Sequence, residues 1–228
     1  MIRALSLAGI AGALAGLLVQ LPLSWFGQSA LERLDAGAQA LGTVWRGQLA
    51  YLDGLPTIAT RLAGLGVAFE GADPTLELSG AARPGALDDL NLRFPVARLA
   101  RFEPRLTGLD GHVVLALDRL GFGEAGCTAA EGDASTDLLA ANSAIWSWQG
   151  PQMSGPVTCE EGALIVEMDG REGTDDAVAR IALRPGGLIQ AELTIRTSQP
   201  GAAVAMPLIG FDPAGQDTYR LVSEGQWR

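Results

Sequence analysis

The stretch that decides the fold is residues 177–196, which read AVARIALRPGGLIQAELTIR. On both sides of residues 185–187, aliphatic side chains occupy every second position, with mostly polar residues between them. A period of two is typical of a strand that buries one face. The Pro-Gly-Gly segment is typical of a turn. These residues therefore predict a β-hairpin.

The same alternation recurs elsewhere in the chain. It is clear at residues 90–94 and 164–169, and residues 113–117, 144–148 and 219–222 are further candidate strands. Turn residues separate these runs, which favours antiparallel meanders over β-α-β units. We predict a mainly β fold with an antiparallel, open and curved sheet, although a closed sandwich fits the pattern as well. The segment 199–217, rich in Pro and Gly, is interpreted as a long connection before the last strand.

The N-terminal segment is typical of a membrane anchor. No residue between Arg3 and Glu32 is charged, and residues 4–26 are mostly Ala, Leu and Gly. As a helix rising about 1.5 Å per residue, they can cross a hydrocarbon core of about 30 Å. Arg3 favours a cytoplasmic N-terminus, and Trp25 suits the opposite headgroup zone. We predict an anchor at residues 1–27, with the bulk of the chain in the periplasm of a single-pass inner-membrane protein.

A cleaved signal peptide is the alternative, since residues 27–29 could supply a cleavage site. Signal-peptide apolar regions run about 7–15 residues, which favours a retained anchor. Within the anchor, Gly12 and Gly16 form a G-x-x-x-G pattern that allows close helix packing, but an Ala/Gly-rich segment also yields it by chance. In either case the rest of the chain lies outside the cytoplasm.

A short amphipathic helix is predicted after the anchor, at residues 28–42. Ser29 and Glu32 have the capping-box spacing, Leu31 and Leu34 begin a helical period, and Gly42 can end the helix. Residues 43–228 then form the periplasmic β-rich domain.

The composition excludes several function classes. The chain has 16 arginines, no lysine and 26 acidic residues, for a net charge of -10. The absence of lysine excludes a lysine nucleophile and a P-loop lysine. The acidic balance argues against nucleic acid as a partner. His112 is the single histidine, which rules out a multi-histidine metal site, and no G-x-S-x-G motif is present. We predict no enzymatic activity, no cofactor and no metal.

The acidity is local. Residues 120–176 carry one arginine and eleven acidic residues. Such a segment is either a surface for a basic partner or a divalent cation, or a solvated face that keeps the domain soluble. No spacing in it matches a calcium-binding loop, which favours the solvated face.

The two cysteines, Cys127 and Cys159, are 32 positions apart and bracket much of this segment. An exported setting and an even cysteine count favour a disulfide between them. The alternative is two buried thiols that never meet.

Two further patterns could be ligand sites. Gly121, Gly123 and Gly126 form G-x-G-x-x-G, but neither a following helix nor the required acidic residue is present, so a flexible turn is favoured. The alternating pair Trp146 and Trp148 could line a carbohydrate or peptide site, together with Trp45. On a strand such a pair more often indicates core.

The order of features resembles a known family. The features, in chain order, are the uncleaved anchor, GTVWRGQL at 42–49, LNLRF at 90–94, Cys127, GPVTCEEGAL at 155–164, LIGF at 208–211 and GQW at 225–227. Together they are similar to protein N of the bacterial type II secretion system, across essentially the whole chain.

The resemblance implies an inner-membrane protein with a periplasmic β-rich domain. It would be a non-enzymatic accessory part of the machinery that exports folded proteins across the outer membrane. Its partners would be other secretion components in the inner membrane or periplasm. The family offers a cysteine pair, matched by Cys127 and Cys159, and no catalytic residues.

Two other functions fit the sequence. An open sheet with an apolar inner face could cradle acyl chains, which would make the chain a lipid-binding or lipid-transfer protein. A secreted hydrolase with a cleaved leader is the third possibility, and N-terminal sequencing would distinguish it.

Overall fold

The computed structural model of the chain describes residues 39–43, 45–50, 57–73, 75–101, 103–146 and 148–226. The predicted anchor at residues 1–27, including Gly12 and Gly16, lies outside them, as do residues 28–38 of the predicted amphipathic helix. Within the described residues, no helix has the length and apolarity needed to span a bilayer.

Fourteen strands are found in the described part of the chain, and each pair with a recorded register is antiparallel. The described helices are few and short. The prediction of a mainly β, antiparallel fold is confirmed. The chain divides into two compact units, the first ending at Arg83 and the second beginning at Pro84.

The first unit is a meander in which each strand pairs with the next. Its strands are β1 (Gln39–Thr43), β2 (Arg46–Ala50), β3 (Ile58–Ala63), β4 (Gly66–Asp73) and β5 (Leu76–Arg83).

The helix predicted at residues 28–42 does not extend to Gly42. The last four residues of that range lie in β1, where Gly42 faces Gly47 across the ladder to β2. The φ of Gly42 is +85°, and a Cβ there would lie 2.8 Å from the carbonyl oxygen of Arg46. Glycine is a poor helix former, so strand pairing outweighs the weak local helical pattern.

The second unit is an open sheet in the order β6-β7-β8-β9-β10-β11-β12-β14-β13. The tripeptide 185–187 joins β11 to β12, as predicted. The strands are β6 (Ala86–Pro95), β7 (His112–Gly123), β8 (Gly126–Thr136), β9 (Met153–Glu160), β10 (Ala163–Glu172), β11 (Asp175–Leu183), β12 (Leu188–Arg196), β13 (Asp212–Gly215) and β14 (Thr218–Gln226). The helices are α1 (Leu138–Ala141), α2 (Ser143–Trp146) and α3 (Pro200–Leu208), with 3₁₀ helices at Val96–Arg101 and Pro104–Leu106.

The strand registers sort the side chains onto two faces, as the sequence period predicts. Val166 lies opposite Ile181 on one face, and Glu167 lies opposite Arg180 on the other. We call these the apolar face and the polar face. On β10, β11, β12 and β14 the apolar face carries Leu164, Val166, Met168, Ala177, Ala179, Ile181, Leu183, Ile189, Ala191, Leu193, Ile195, Tyr219 and Leu221.

One predicted strand is wrong. Residues 144–148 do not form a strand: Ser143–Trp146 is the one-turn helix α2, and Trp148 follows it with only 1% of its surface exposed. The indole of Trp148 turns inward to Asp175, a partner 27 residues away that local alternation cannot reveal. The connection 199–217 also differs, because it contains α3 and β13.

Three long connections cover the apolar face at one end of the strands. They are residues 96–111, 137–152 and 197–211, and we call this end the capped end. Each contributes fully buried side chains to the core, including Val96, Leu139, Trp148, Ala202 and Met206. Within the described residues of the second unit, the opposite end has only tight turns and is called the turn end.

The sheet of the second unit is curved. Glu103, in the connection after β6, hydrogen-bonds the hydroxyl of Ser223 on β14, seven strand spacings from β6. On a flat sheet those spacings would total about 34 Å. The 3₁₀ helix Val96–Arg101 covers only about 12 Å of the intervening chain. The contact is therefore possible only because β14 curls back towards β6.

Candidate functional site

A disulfide joins Cys127 on β8 to Cys159 on β9, with their Cα atoms 5.6 Å apart. Both residues lie at the turn end, and Cys127 is buried. Closing a loop of this size stabilises the fold by about 3–4 kcal/mol through the entropy of the unfolded chain.

Two glycines allow the backbone to pack closely beside this disulfide. A Cβ on Gly126 would lie 2.3 Å from the carbonyl oxygen of Gly162, and a Cβ on Gly162 would lie 2.2 Å from that of Ala125. The amide of Cys127 donates a hydrogen bond to the Gly162 carbonyl at 2.9 Å. Gly126 belongs to the G-x-G-x-x-G pattern. Its role is to let the start of β8 approach the backbone of Gly162, in the turn between β9 and β10.

A groove with a volume of about 680 Å³ lies on the polar face at the turn end. Its floor is a small buried apolar cluster of Ala163, Ile165 and Ala182. The rim is charged, with more acidic than basic groups: Glu160, Glu161, Glu192 and Glu224 against Arg180 and Arg184.

Cross-strand pairs fix the rim of the groove. Arg180 on β11 donates to Glu160 at 2.6 Å and also to Glu167, and the hydrogen bond to Glu160 is the main cause that raises the pKa of Arg180. Arg220 donates to Glu192 at 2.7 Å, which likewise raises the pKa of Arg220. Both guanidinium groups are therefore charged at any physiological pH.

An amide continues this network to the last strand. Gln190 accepts from Nε of Arg184 at 3.1 Å and donates to Glu224 at 3.0 Å. Val222 and Glu224 of β14 both line the groove, and Val222 is 56% exposed. One wall of the groove is thus the outermost long strand of the sheet.

At the capped end, two carboxylates hold the connections in place. Asp175 is 1% exposed and its Oδ2 accepts from the indole of Trp148 at 2.8 Å and from the amide of Gln199. Its Oδ1 has no hydrogen-bond partner within the described part of the chain. One buried carboxylate thus ties residues 137–152 and 197–211 to the start of β11.

The second carboxylate is Glu103. It accepts two hydrogen bonds of 2.8 Å from the guanidinium of Arg105 and a third from the hydroxyl of Ser223. The Arg105 hydrogen bond is the main cause that lowers the pKa of Glu103 to about 2. A charged Glu103 therefore fastens the β6–β7 connection to β14.

The other residues singled out in the sequence are scattered. His112 and Trp45 are exposed, on β7 and on the turn between β1 and β2. Trp148 belongs to the buried core, which is the interpretation that the sequence favours. Of the acidic segment, Glu160 and Glu161 reach the groove, whereas Asp175 is buried at the other end. The described residues contain no group of three His, Cys, Asp or Glu side chains placed to hold a metal.

Comparison with known proteins identifies a family. The sequence model of the family type II secretion system (T2SS) protein N matches residues 24–222. No curated protein and no solved structure matches the chain. The match covers most of the sequence, so the chain belongs to the T2SS protein N family, which is an accessory family of type II secretion.

Proposed function

We propose that this member of the T2SS protein N family is anchored in the inner membrane and acts in the periplasm by protein–protein interaction. It binds other components of the machinery that exports folded proteins across the outer membrane. The family match over residues 24–222 is the observation that carries the proposal.

The membrane anchor is the first element of the proposal. Residues 4–26 are free of charge and long enough to span a bilayer. The family match begins at residue 24, so nearly all of it falls on the sequence that follows this segment. We expect the protein to stay in membrane vesicles after a high-pH wash. Protease added outside spheroplasts should digest its bulk.

Binding is the second element. The rim of the polar-face groove is organised by ion pairs and amide hydrogen bonds rather than by a nucleophile with a base. An exposed groove with a charged rim and an apolar floor suits recognition of a polypeptide.

A secretion assay tests the proposal. Deleting the gene from a strain with an active type II pathway should leave folded exoproteins in the periplasm, and the full-length chain should restore their export. A version with residues 1–27 replaced by a cleaved signal peptide is the matched control for anchoring, and it should restore export poorly. Unchanged secretion in the deletion strain would defeat the proposal.

Lipid binding is a second candidate, favoured by one observation. Away from the capped end, the apolar face leaves aliphatic side chains only half-buried, among them Leu164, Ile181, Leu183, Leu193 and Leu221. Acyl chains could cover such a surface. Native mass spectrometry of gently extracted protein would support this function by retaining phospholipid or lipopolysaccharide. A bare protein mass would refute it.

A further inference from the structure

The outer edge of β14 is only partly paired. On its inner side, all nine residues of β14 pair with β12, from Thr218 to Gln226. On its outer side, β13 covers Thr218, Tyr219 and Arg220 only. In the described chain, residues 221–226 thus form a regular strand with no strand partner on the outer side, and the contact of Ser223 with Glu103 is made by its side chain on the apolar face.

The hydrogen-bonding direction along this edge follows from two contacts. The amide of Thr197 donates to the carbonyl of Asp217 at 2.9 Å, so the odd-numbered residues of β14 direct their backbone groups at β12. Pro213, which has no amide hydrogen, faces Tyr219, an odd-numbered residue, which agrees with that alternation. The even-numbered residues of β14 therefore direct their backbone N–H and C=O groups outward, away from β12.

Val222, Glu224 and Gln226 are the even-numbered residues inside the uncovered segment, and each directs one N–H and one C=O away from the sheet. The side chains of Val222 and Glu224 project into the groove on the polar face. A row of backbone donors and acceptors at strand spacing is complementary to one kind of ligand, another extended polypeptide.

We propose that the free edge of β14 receives an extended strand from another secretion component, which pairs with residues 221–226. This inference rests on the proposed function and adds the surface and the mode of binding. A strand added here would extend the wall of the groove and place alternate side chains over its acidic rim.

The charge of the groove specifies those side chains. Its lining carries four carboxylates and two guanidinium groups, and Glu224 is the charged residue nearest the edge. A cross-strand neighbour of Glu224 is stabilised when it carries the opposite charge. The incoming strand should therefore have Lys or Arg on the side that faces the groove.

The same charges argue against the other occupants of such an edge. A second copy of this chain, with a net charge of -10, would bring a second acidic groove against the first. An acyl chain offers no partner for the backbone groups of Val222 and Glu224, so lipid would leave them unpaired.

Site-specific crosslinking in living cells tests the proposal in the full-length chain. A photo-crosslinking amino acid is placed at position 222, and at position 178 as a matched control. Val178 is also an exposed valine of the polar face, but it lies on β11, which is paired on both sides. We expect position 222 to give an adduct with another secretion component, mapped to an extended segment that contains Lys or Arg. Position 178 should give little.

A backbone variant separates strand pairing from simple proximity. Combining Val222→Pro with Glu224→Pro removes two of the three outward N–H groups of the segment, and proline is tolerated at a strand edge. Losing two hydrogen bonds should lower the yield of the complex about tenfold. Val222→Thr with Glu224→Gln keeps the backbone groups and should lower it far less. Retention of the disulfide and of the melting temperature shows that the double proline variant is folded.

Each other outcome would overturn the inference. An adduct with a second copy or with lipid alone would name the wrong occupant. Full complex formation by the folded double proline variant would show that the edge is not used, while the proposed function would stand. The proposed function itself would be wrong if no surface position gave a crosslink to a secretion component and if secretion were normal in a deletion strain.

Discussion

The two ends of the second unit are held together in different ways. At the capped end, three connections are fastened by side chains that meet from distant parts of the sequence, with Asp175 and Glu103 as acceptors. At the turn end, a disulfide and two glycines hold the backbone of neighbouring hairpins together. The capped end buries the contact between Trp148 and Asp175 and leaves the Glu103–Arg105 pair partly exposed, whereas the turn end leaves a groove and a strand edge open.

The difference indicates that the capped end mainly stabilises the second unit, whereas the turn end offers the surface for binding. Burial makes the Asp175 carboxylate at the capped end unavailable to a partner. The disulfide at the turn end needs no covering layer, so the charged rim of the groove stays accessible. Disrupting the two ends should therefore have different consequences, and the following experiments compare them.

Removing the disulfide should have the largest effect on stability. The double substitution Cys127→Ser and Cys159→Ser should lower the free energy of unfolding by about 3–4 kcal/mol, because the unfolded chain regains the closed loop. Denaturant unfolding of the detergent-extracted protein measures it. The unsubstituted protein under reducing conditions is the control and should match the variant. Equal stability with and without the bond would contradict the role given to the disulfide.

The backbone contact beside the disulfide comes next. Gly162→Ala places a methyl group against the carbonyl of Ala125 at a φ of +81° and should cost about 2–3 kcal/mol. Gly173→Ala is the matched control, since its φ is +61° and no atom lies within 4 Å of the added Cβ. The control should cost about 1 kcal/mol, for backbone strain alone. Equal losses in thermal unfolding would show that no close approach exists at Gly162.

At the capped end, Trp148→Phe should cost about 2 kcal/mol. The indole N–H is lost, and among the described residues the buried Asp175 carboxylate keeps only the side-chain amide of Gln199 as a donor. Val204→Ala, at a valine of α3 that is 69% exposed, is the control and should change stability by less than about 0.5 kcal/mol. The disulfide should still form in Trp148→Phe. A stability change no larger than that of the control would contradict the role given to the indole.

Acid should weaken the contact between Glu103 and Arg105 by about 1–2 kcal/mol. The pKa of Glu103 is about 2 in the folded protein, below its ordinary value of 4.5, so the unfolded chain binds its proton first. This stabilisation is complete above about pH 4.5 and is lost as the pH falls towards 2. Comparing unfolding at pH 6 and pH 3 measures the loss. Glu103→Gln and Arg105→Gln should each reduce the difference in unfolding free energy between pH 6 and pH 3. If that difference did not change, the acid sensitivity would come from other groups.

The sequence predicts the middle of the sheet better than its ends. Residues 177–196 form the hairpin that their alternation indicates, because the register places every second side chain of both strands on the same face of the sheet. The helix α3 has no polar positions to mark its period, so it is invisible in the pattern. The alternation at residues 144–148 predicts a strand and cannot reveal the buried position of Trp148, because its partner Asp175 lies 27 residues away.

The groove could not be predicted at all. It depends on which residues of β10, β11, β12 and β14 lie side by side, and alternation gives the face of each residue but not its cross-strand neighbour. Arg180 and Glu192 were visible as polar positions. Only the register places Arg180 beside Glu167, and Glu192 beside Val222.

Capture of the full-length protein from membranes after mild crosslinking would show whether it binds the secretion machinery. We expect other type II secretion components to be recovered with it, in a yield that depends on the anchor at residues 1–27. Recovery of no secretion component, in a strain whose exoprotein secretion does not change when the gene is deleted, would contradict the proposed function.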